Sequence, residues 1–480
     1  MKLKNVALLS LSGMLLSSAS VYALAPSQGQ AVAEQGSQIS LTSSTSPGAL
    51  TSSFEAGATL RVDGRIGHPR LLQGASGETF ILLEVGSGEG PKAPRAAPSH
   101  LALVIDRSGS MRGERLKSAI SGAMAAVDQL GDGDAVSVVA FDARPSLVVP
   151  STVIGPESRE RVKATIRTIT VGGETCISCG IEEAVGQLAQ SNGKVDRMIV
   201  LSDGDATAGV RDPVGFRGLA RRARERGIGV TTIGVGVTYN QRILGIIAQE
   251  SGGGHHFIEN ASSLDRVFLA EAEKLRSTVA IDVEATLELA EGVELDQVFD
   301  RTFQRRGQKI VIPLDAFARG DTQTVLLKVR VPSHLPGAEP VADVHLAYRD
   351  LVKGEDGRCD GKLGVVIRTD PSGASPLDGV VAGRLQRSAT AAALLEANVL
   401  FEQGKIEEAQ RKLALQQQAL NEAGERARRA APKNRGADVD KDFRGQASSL
   451  DSATWGLNKT SPRPAAAVRR NQEMANPFMK

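Results

Sequence analysis

Residues 101–111 read Leu-Ala-Leu-Val-Ile-Asp-Arg-Ser-Gly-Ser-Met, an apolar run that ends in a group of oxygen-bearing side chains. The run predicts a fully buried strand, because a strand covered on both faces carries no alternating polar residues. Asp106, Ser108 and Ser110 follow, and a tight loop can turn all three side chains to one side. Carboxylate and hydroxyl oxygens are ligands that suit Mg²⁺ and Ca²⁺. The stretch therefore predicts an ion site at the end of a buried strand.

Two more oxygen-bearing side chains stand downstream in similar surroundings. Thr175 lies in Gly-Gly-Glu-Thr-Cys-Ile, and Asp203 ends the apolar run Met-Ile-Val-Leu-Ser-Asp. In open α/β sheets, ligands bind beyond the carboxyl ends of the strands. Because Asp106 and Asp203 each follow a predicted strand, we expect both carboxylates at the same edge of one sheet.

Strand and helix patterns alternate between residues 97 and 279. The segment 114–130, for example, carries Leu116, Ile120, Ala123 and Val127 on one face at helical spacing. Strands separated by helices indicate βαβ units. The sequence therefore predicts an α/β fold with a Rossmann-like, doubly wound, mostly parallel sheet.

The order Asp106-x-Ser108-x-Ser110, then Thr175, then Asp203 resembles the metal-ion-dependent adhesion site of von Willebrand factor type A (VWA) domains. The resemblance covers about residues 97–280 and suggests a protein of the bacterial secreted type. It implies that these five side chains hold a divalent cation, for which Mg²⁺ is favoured over Ca²⁺ or Mn²⁺. It also implies that an Asp or Glu carboxylate of a protein partner completes the coordination. The function implied is metal-bridged adhesion, and the protein is not expected to be an enzyme.

Glu174 departs from the family pattern, which has a small residue at this position. One interpretation is that its side chain points into solvent. The other is that Glu174 modulates the site by filling the open coordination position until a partner binds. Both interpretations stay open on the sequence.

The chain has three cysteines, of which Cys176 and Cys179 flank the Thr175 loop. A disulfide between them would stiffen that loop, as is common in exported proteins. The same spacing at a helix start also fits a redox-active pair. A zinc site is disfavoured, because further ligands at suitable spacing are missing. Cys359 makes the number of cysteines odd.

Composition and pattern divide the remaining chain into further segments. The segments are a signal peptide at 1–25, a disordered leader at 26–53, strands with a linker at 54–96, a β-sandwich at 280–372, a helical hairpin at 380–425 and a disordered tail at 426–480. The strands at 54–85 could pair with the sandwich, which would make the VWA-like segment 97–279 an insertion. The signal peptide has the usual basic, apolar and Ala-x-Ala parts.

The charge balance argues against a nucleic-acid binder. There are 57 basic and 55 acidic side chains, the net charge is +2, and only 3% of residues are aromatic. After signal cleavage no integral membrane segment is expected, and the protein should be exported to the periplasm, the medium or the cell surface. The oligomeric state stays open.

Two other function classes compete with adhesion. One is an enzyme that uses Cys176 and Cys179 for thiol chemistry, or Glu174 as a base for metal-assisted hydrolysis. The other is a structural scaffold in which the metal only stabilises the fold.

Overall fold

The structure is a computed structural model that describes residues 50–88, 98–189, 195–237, 239–458 and 464–479. The predicted signal peptide and most of the predicted leader lie outside the described residues. Within residues 50–88, four strands precede the central domain: β1 (Ser53–Gly57), β2 (Leu60–Ile66), β3 (Arg70–Leu72) and β4 (Glu78–Ser87).

The central domain alternates strands with helices. The strands are β5 (Ser99–Asp106), β6 (Ala135–Phe141), β7 (Pro145–Val153), β8 (Val195–Ser202), β9 (Gly229–Val235) and β10 (His255–Ile258). The helices are α1 (Glu114–Gln129), α2 (Pro156–Ile166), α3 (Ile177–Leu188), α4 (Pro213–Arg224), α5 (Gln241–Ser251) and α6 (Leu264–Arg276). The sheet order is β10-β9-β8-β5-β6-β7, and every neighbouring pair is parallel except β6 with β7.

Helices cover both faces of this sheet. Side chains of α1 and α6, such as Leu116 and Phe268, pack on one face. Side chains of α3 and α4, such as Ile181 and Phe216, pack on the other. All eight residues of β5 are buried as a result, which is why its central residues 101–105 form an unbroken apolar run. The doubly wound, mostly parallel α/β fold predicted from the sequence is confirmed.

A two-sheet β structure follows the central domain. Its strands are β11 (Thr278–Leu289), β12 (Glu294–Phe299), β13 (Gln304–Arg306), β14 (Lys309–Pro313), β15 (Phe317–Ala318), β16 (Thr322–Arg330), β17 (Gly337–Asp350) and β18 (Glu355–Arg368). The sheet orders are β1-β2-β4-β16-β12 and β13-β14-β11-β17-β18-β3, with β15 beside β11. Their alternating inward side chains form one shared core.

The strands before the central domain belong to this sandwich. β4 pairs antiparallel with β16 over nine residues, from Glu78 opposite Arg330 to Gly86 opposite Thr322. β3 adds to β18 in the second sheet. Both sheets therefore contain chain from either side of residues 99–276, and the central domain is inserted into the sandwich.

Four helices follow the sandwich among the described residues: α7 (Gly379–Glu402), α8 (Ile406–Ala430), α9 (Gly436–Gly456) and α10 (Pro464–Phe478). The predicted hairpin turn lies at Gly404, whose φ of +78° favours glycine. The predicted disorder of residues 426–480 is wrong for the part that the structure describes. Phe443 and Leu450 of α9 are buried in a cluster shared with α7 and α8, so tertiary packing orders an Ala-rich segment of low hydropathy.

No helix among the described residues combines the length and apolar character needed to cross a membrane.

Candidate metal site

The carboxyl ends of β5 and β8 bring Asp106 and Asp203 to one edge of the central sheet. The two strands are parallel neighbours in which Ile105 lies opposite Leu201. Asp106 is the last residue of β5, and Asp203 follows Ser202 at the end of β8. Both aspartates are completely buried. The edge position expected from the sequence follows from this strand register.

The Asp106 carboxylate is held at both oxygens. The backbone N–H of Ser108 donates to Oδ1 at 2.8 Å, and the hydroxyl of Ser202 donates to Oδ2 at 2.6 Å. Burial raises the pKa of Asp106 to about 6, the hydrogen bonds from Ser202 and Ser108 oppose that rise, and the charge of Asp203 adds to it. The negative charge of Asp106 is therefore destabilised, and a nearby cation would relieve it.

Ser108 and Ser110 link Asp106 to Asp203. The two serine hydroxyl oxygens lie 3.1 Å apart, and the Ser110 hydroxyl donates to Asp203 Oδ1 at 2.6 Å. A short 3₁₀ turn at Gly109–Met111 sets the two serines side by side. Four of the five predicted side chains thus form one hydrogen-bonded cluster.

Thr175 is buried on a loop that hydrogen bonds fasten to the Ser108 loop and to the loop after Asp203. The backbone N–H of Gly109 donates to the Gly173 carbonyl at 2.9 Å, which ties the Thr175 loop to the Ser108 loop. Thr207, four residues after Asp203, accepts the Thr175 N–H on its hydroxyl at 2.9 Å. Thr175 therefore lies at the same sheet edge, and this edge is the rim formed by Asp106, Ser108, Ser110, Thr175 and Asp203. The side chain of Glu174 beside it is exposed.

Cys176 and Cys179 form a disulfide at the start of α3. Gly209 lies directly over it, and a Cβ added there would come within 2.4 Å of the Cys176 sulfur. Ser178, between the cysteines, accepts the Val210 N–H on its hydroxyl at 3.0 Å. The disulfide thus closes the start of α3, and the Ser178–Val210 hydrogen bond links it to the loop after Asp203. Cys359 is buried far along the chain in the sandwich core, and burial raises the pKa of its thiol to about 11.

Arg115 and Ser202 are polar members of the cluster that sequence reasoning missed. The guanidinium of Arg115 forms an ion pair with Asp203 Oδ2 and donates to the Ser110 carbonyl at 3.3 Å. In the sequence, Arg115 is unusual because it is a cation in the first turn of α1, where the helix dipole favours acidic side chains. Ser202 could have been found from the parallel register, which sets it beside Asp106.

The rim fits a hard divalent cation by its donor chemistry. It offers two carboxylates and a set of hydroxyls, and the two buried carboxylates repel each other. Across the described ranges, no three His, Cys, Asp or Glu side chains are grouped so as to hold a metal. A cation at the rim would therefore depend on serine and threonine hydroxyls beside the aspartates, as an open Mg²⁺ site does.

Comparison with known proteins identifies the central domain. The family model described as "von Willebrand factor type A domain" matches residues 100–269. The protein sll0103 of Synechocystis sp. is 27% identical over 287 residues, which are 57% of this chain and 67% of that protein. Inter-alpha-trypsin inhibitor heavy chain H4 of Bos taurus is 27% identical over 206 residues, which are 40% of this chain and 22% of that protein.

A solved structure shows that the likeness extends beyond the central domain. The von Willebrand factor type A structure from Catenulispora acidiphila has a TM-score of 0.70 at 17% identity and covers 88% of this chain and 96% of that chain. At this identity the likeness shows a shared fold. Together with the family match, the topology of β5–β10 shows that the central domain of this chain is a von Willebrand factor type A domain.

Proposed function

We propose that the protein is an extracytoplasmic binding or adhesion protein whose VWA domain holds a divalent cation and so binds an acidic residue of a protein partner. The observation that carries the proposal is the hydrogen-bonded cluster of Asp106, Ser108, Ser110 and Asp203 at one sheet edge. VWA domains commonly serve adhesion and protein interaction, which supports the same conclusion.

Ser108, Ser110 and Thr175 would hold the cation, Mg²⁺ by preference, with Asp106 and Asp203 balancing its charge. When bound, the cation supplies an electrophilic centre to which an outside carboxylate oxygen can attach. The residues around the site position the two carboxylates. Ser202 and the Ser108 N–H orient Asp106, and the Ser110 hydroxyl orients Asp203.

The charges at the rim favour an acidic partner. Asp106 and Asp203 contribute two negative charges and Arg115 one positive charge, so a divalent cation would make the cluster net positive. An Asp or Glu side chain of a partner would then neutralise it. The same arithmetic disfavours a basic ligand at this edge.

Export is supported by the signal-peptide pattern of the sequence and by the disulfide between Cys176 and Cys179, since disulfides persist in oxidising compartments. We therefore place the protein in the periplasm, in the medium or at the cell surface.

The function can be tested by affinity capture from envelope and culture fractions in Mg²⁺, followed by elution with a chelator. Wild type should retain proteins that the chelator releases, and Asp106→Ala should not. Asp132→Ala is the matched control, because Asp132 is a 69% exposed aspartate that pairs only loosely with Arg159 at 3.4 Å. Equal capture by wild type and Asp106→Ala would reject metal-bridged binding.

The same preparations separate adhesion from the scaffold alternative. If Mg²⁺ raises the melting temperature of wild type but recruits no partner from either fraction, the cation stabilises the fold and does not bridge. If Mg²⁺ does neither, the rim does not hold the cation.

A further inference from the structure

Arg115 is a positively charged side chain that lies at the rim. Its guanidinium contacts the Asp203 carboxylate and the Ser110 carbonyl, two groups of the cluster described above. Asp203 is completely buried, whereas the Arg115 side chain is 36% exposed. The cation of this pair therefore has water beside it, while the anion has none.

The position of Arg115 is unfavourable for the helix that carries it. α1 begins at Glu114, so Arg115 lies in its first turn, where the positive end of the helix dipole repels a cation. The preceding residue, Gly113, has a φ of +85° and provides no side-chain cap. The start of α1 thus gains nothing from an arginine, and the contact with Asp203 accounts for its placement.

Gly236, directly after β9, leaves the space that the guanidinium fills. A Cβ added there would lie 3.2 Å from Arg115 Nη2, so any side chain would crowd the arginine. The φ of Gly236 is +76°, which also favours glycine. The end of β9 therefore packs closely against the Arg115 guanidinium.

We propose that Arg115 is a built-in counter-cation that competes with the divalent cation for Asp203 and so sets the affinity of the site. This inference rests on the proposed function, because it presupposes that the rim binds a divalent cation. Arg115 neutralises Asp203 when the site is empty. It can withdraw toward solvent when a divalent cation takes over that charge, because its side chain is only part-buried.

The competition follows from charge alone. Two cations that share one carboxylate repel each other, and the repulsion is stronger beside buried groups than in bulk water. Removing the arginine charge removes both the repulsion and the competing ion pair. The negative charge of Asp203 is then less well balanced until a divalent cation arrives.

The test is direct binding of Mn²⁺ to the full chain by titration calorimetry, with unfolding curves in chelator as a second readout. Arg115→Gln should bind Mn²⁺ roughly tenfold more tightly than wild type, a change that corresponds to about 1.4 kcal/mol. It should also melt at a lower temperature than wild type in chelator, and gain more from Mn²⁺ than wild type gains. The melting readout serves even if Arg115→Gln is only marginally folded without metal.

Two further variants separate the contact from the charge of the region. Arg112→Gln removes the same charge from an exposed residue three positions earlier, and its affinity should stay within about twofold of wild type. Arg115→Lys keeps the positive charge and should stay close to wild type. A tenfold gain in Arg112→Gln as well would mean that general charge, not the Asp203 contact, sets the affinity.

The outcomes distinguish the inference from the proposed function. If wild type binds Mn²⁺ and Arg115→Gln binds no tighter, the inference is overturned and the metal site stands. If only Arg115→Gln binds, Arg115 blocks the site at the concentrations used, which supports the inference. If neither binds, the proposed function fails and the inference fails with it.

Discussion

Among the described residues, the arginine–aspartate pairs Arg384–Asp300 and Arg115–Asp203 are built differently. Arg384 of α7 is 2% exposed, and its guanidinium donates to Thr324, Ser388 and Asp300 at 2.5, 2.6 and 3.1 Å. Arg115 of α1 is 36% exposed and contacts the fully buried Asp203. The first pair joins the helices to the sandwich, with its arginine buried and its aspartate 18% exposed, while the second lies at the rim of the VWA domain.

This difference in the exposure of the arginine shows how the carboxylate it contacts can serve either stability or binding. A buried guanidinium that donates from each of its three nitrogens inside the protein cannot be exchanged without leaving several polar groups unpaired. A guanidinium that reaches its carboxylate from the solvent side can be replaced by another cation. We therefore expect mutations at the junction between the helices and the sandwich, where Arg384 meets Asp300, to change stability. Mutations at the rim should change the response to metal.

The largest effect is expected at the junction. Arg384→Met should lower the free energy of unfolding by about 3 kcal/mol, because it removes the arginine from Asp300, which is only 18% exposed and keeps the Ser388 hydroxyl as a donor. Urea unfolding would measure it, in chelator and again in Mg²⁺, and the two values should agree. Lys412→Met is the control, since the Lys412–Glu396 pair is exposed and should contribute less than about 1 kcal/mol. A loss that disappears in Mg²⁺ would remove the distinction between the two regions.

The next largest effect is expected at the rim. At a Mg²⁺ concentration of about 100 times the dissociation constant, wild type should gain roughly 2.7 kcal/mol of stability. Asp106→Asn should gain none, because it lacks the charge that balances the cation. In chelator it should unfold close to wild type, since burial already disfavours the charged form of Asp106.

Unfolding curves with and without Mg²⁺ test this prediction, and Asp132→Asn serves as the control that keeps the full gain. A gain that survives in Asp106→Asn would place the stabilising ion elsewhere in the protein.

The third largest effect is expected at a buried histidine. His255 of β10 is sealed between Thr232 and Tyr239, whose hydroxyl oxygens lie 2.8 and 3.2 Å from its two ring nitrogens. Burial lowers the pKa of His255 to about 3, and the charges of His256 and Arg469 add to this effect. The native ring therefore stays neutral at a pH where the unfolded chain takes up a proton.

The sign of the pH effect follows. The stabilising effect of a neutral His255 is fully present above the unfolded pKa of 6.5 and is lost as the pH falls toward 3. Between about pH 7.5 and 5.5 wild type should lose about 1.4 kcal/mol more than His255→Gln, which does not titrate. Urea unfolding of both proteins at the two pH values measures the difference. Parallel pH curves would mean that His255 can be protonated in the native protein.

The sequence predicted the sheet edge well because the pattern that marks each strand and its end lies within a few neighbouring residues. An unbroken apolar run followed by Asp106 or Asp203 fixes both the strand and its end, and parallel order then brings the ends together. The same local argument missed Arg115, because a motif of oxygen donors assigns no role to a cation. Its contact with Asp203 depends on the angle at which α1 leaves the Ser110 turn.

The C-terminal tail shows the limit of arguments from composition. Residues 426–480 contain few large apolar side chains, which suggested disorder. Phe443, Leu450 and Val468 nevertheless lie buried against other helices, and small alanines such as Ala453 and Ala467 let those helices approach closely. Whether such a segment folds depends on the partner surface, which no local window contains.

The smallest effect is expected for Glu174, which borders the rim without being part of its hydrogen-bonded cluster. The side chain is exposed, so its charge is screened by water and salt. Glu174→Ala should therefore change the Mn²⁺ affinity by less than about twofold, the same as Glu157→Ala on the exposed start of α2. If Glu174 instead fills the open coordination position, its removal should weaken Mn²⁺ binding and strengthen binding of an added carboxylate such as acetate. That result would make Glu174 a second exchangeable group at the rim beside Arg115, one that competes with the partner where Arg115 competes with the metal.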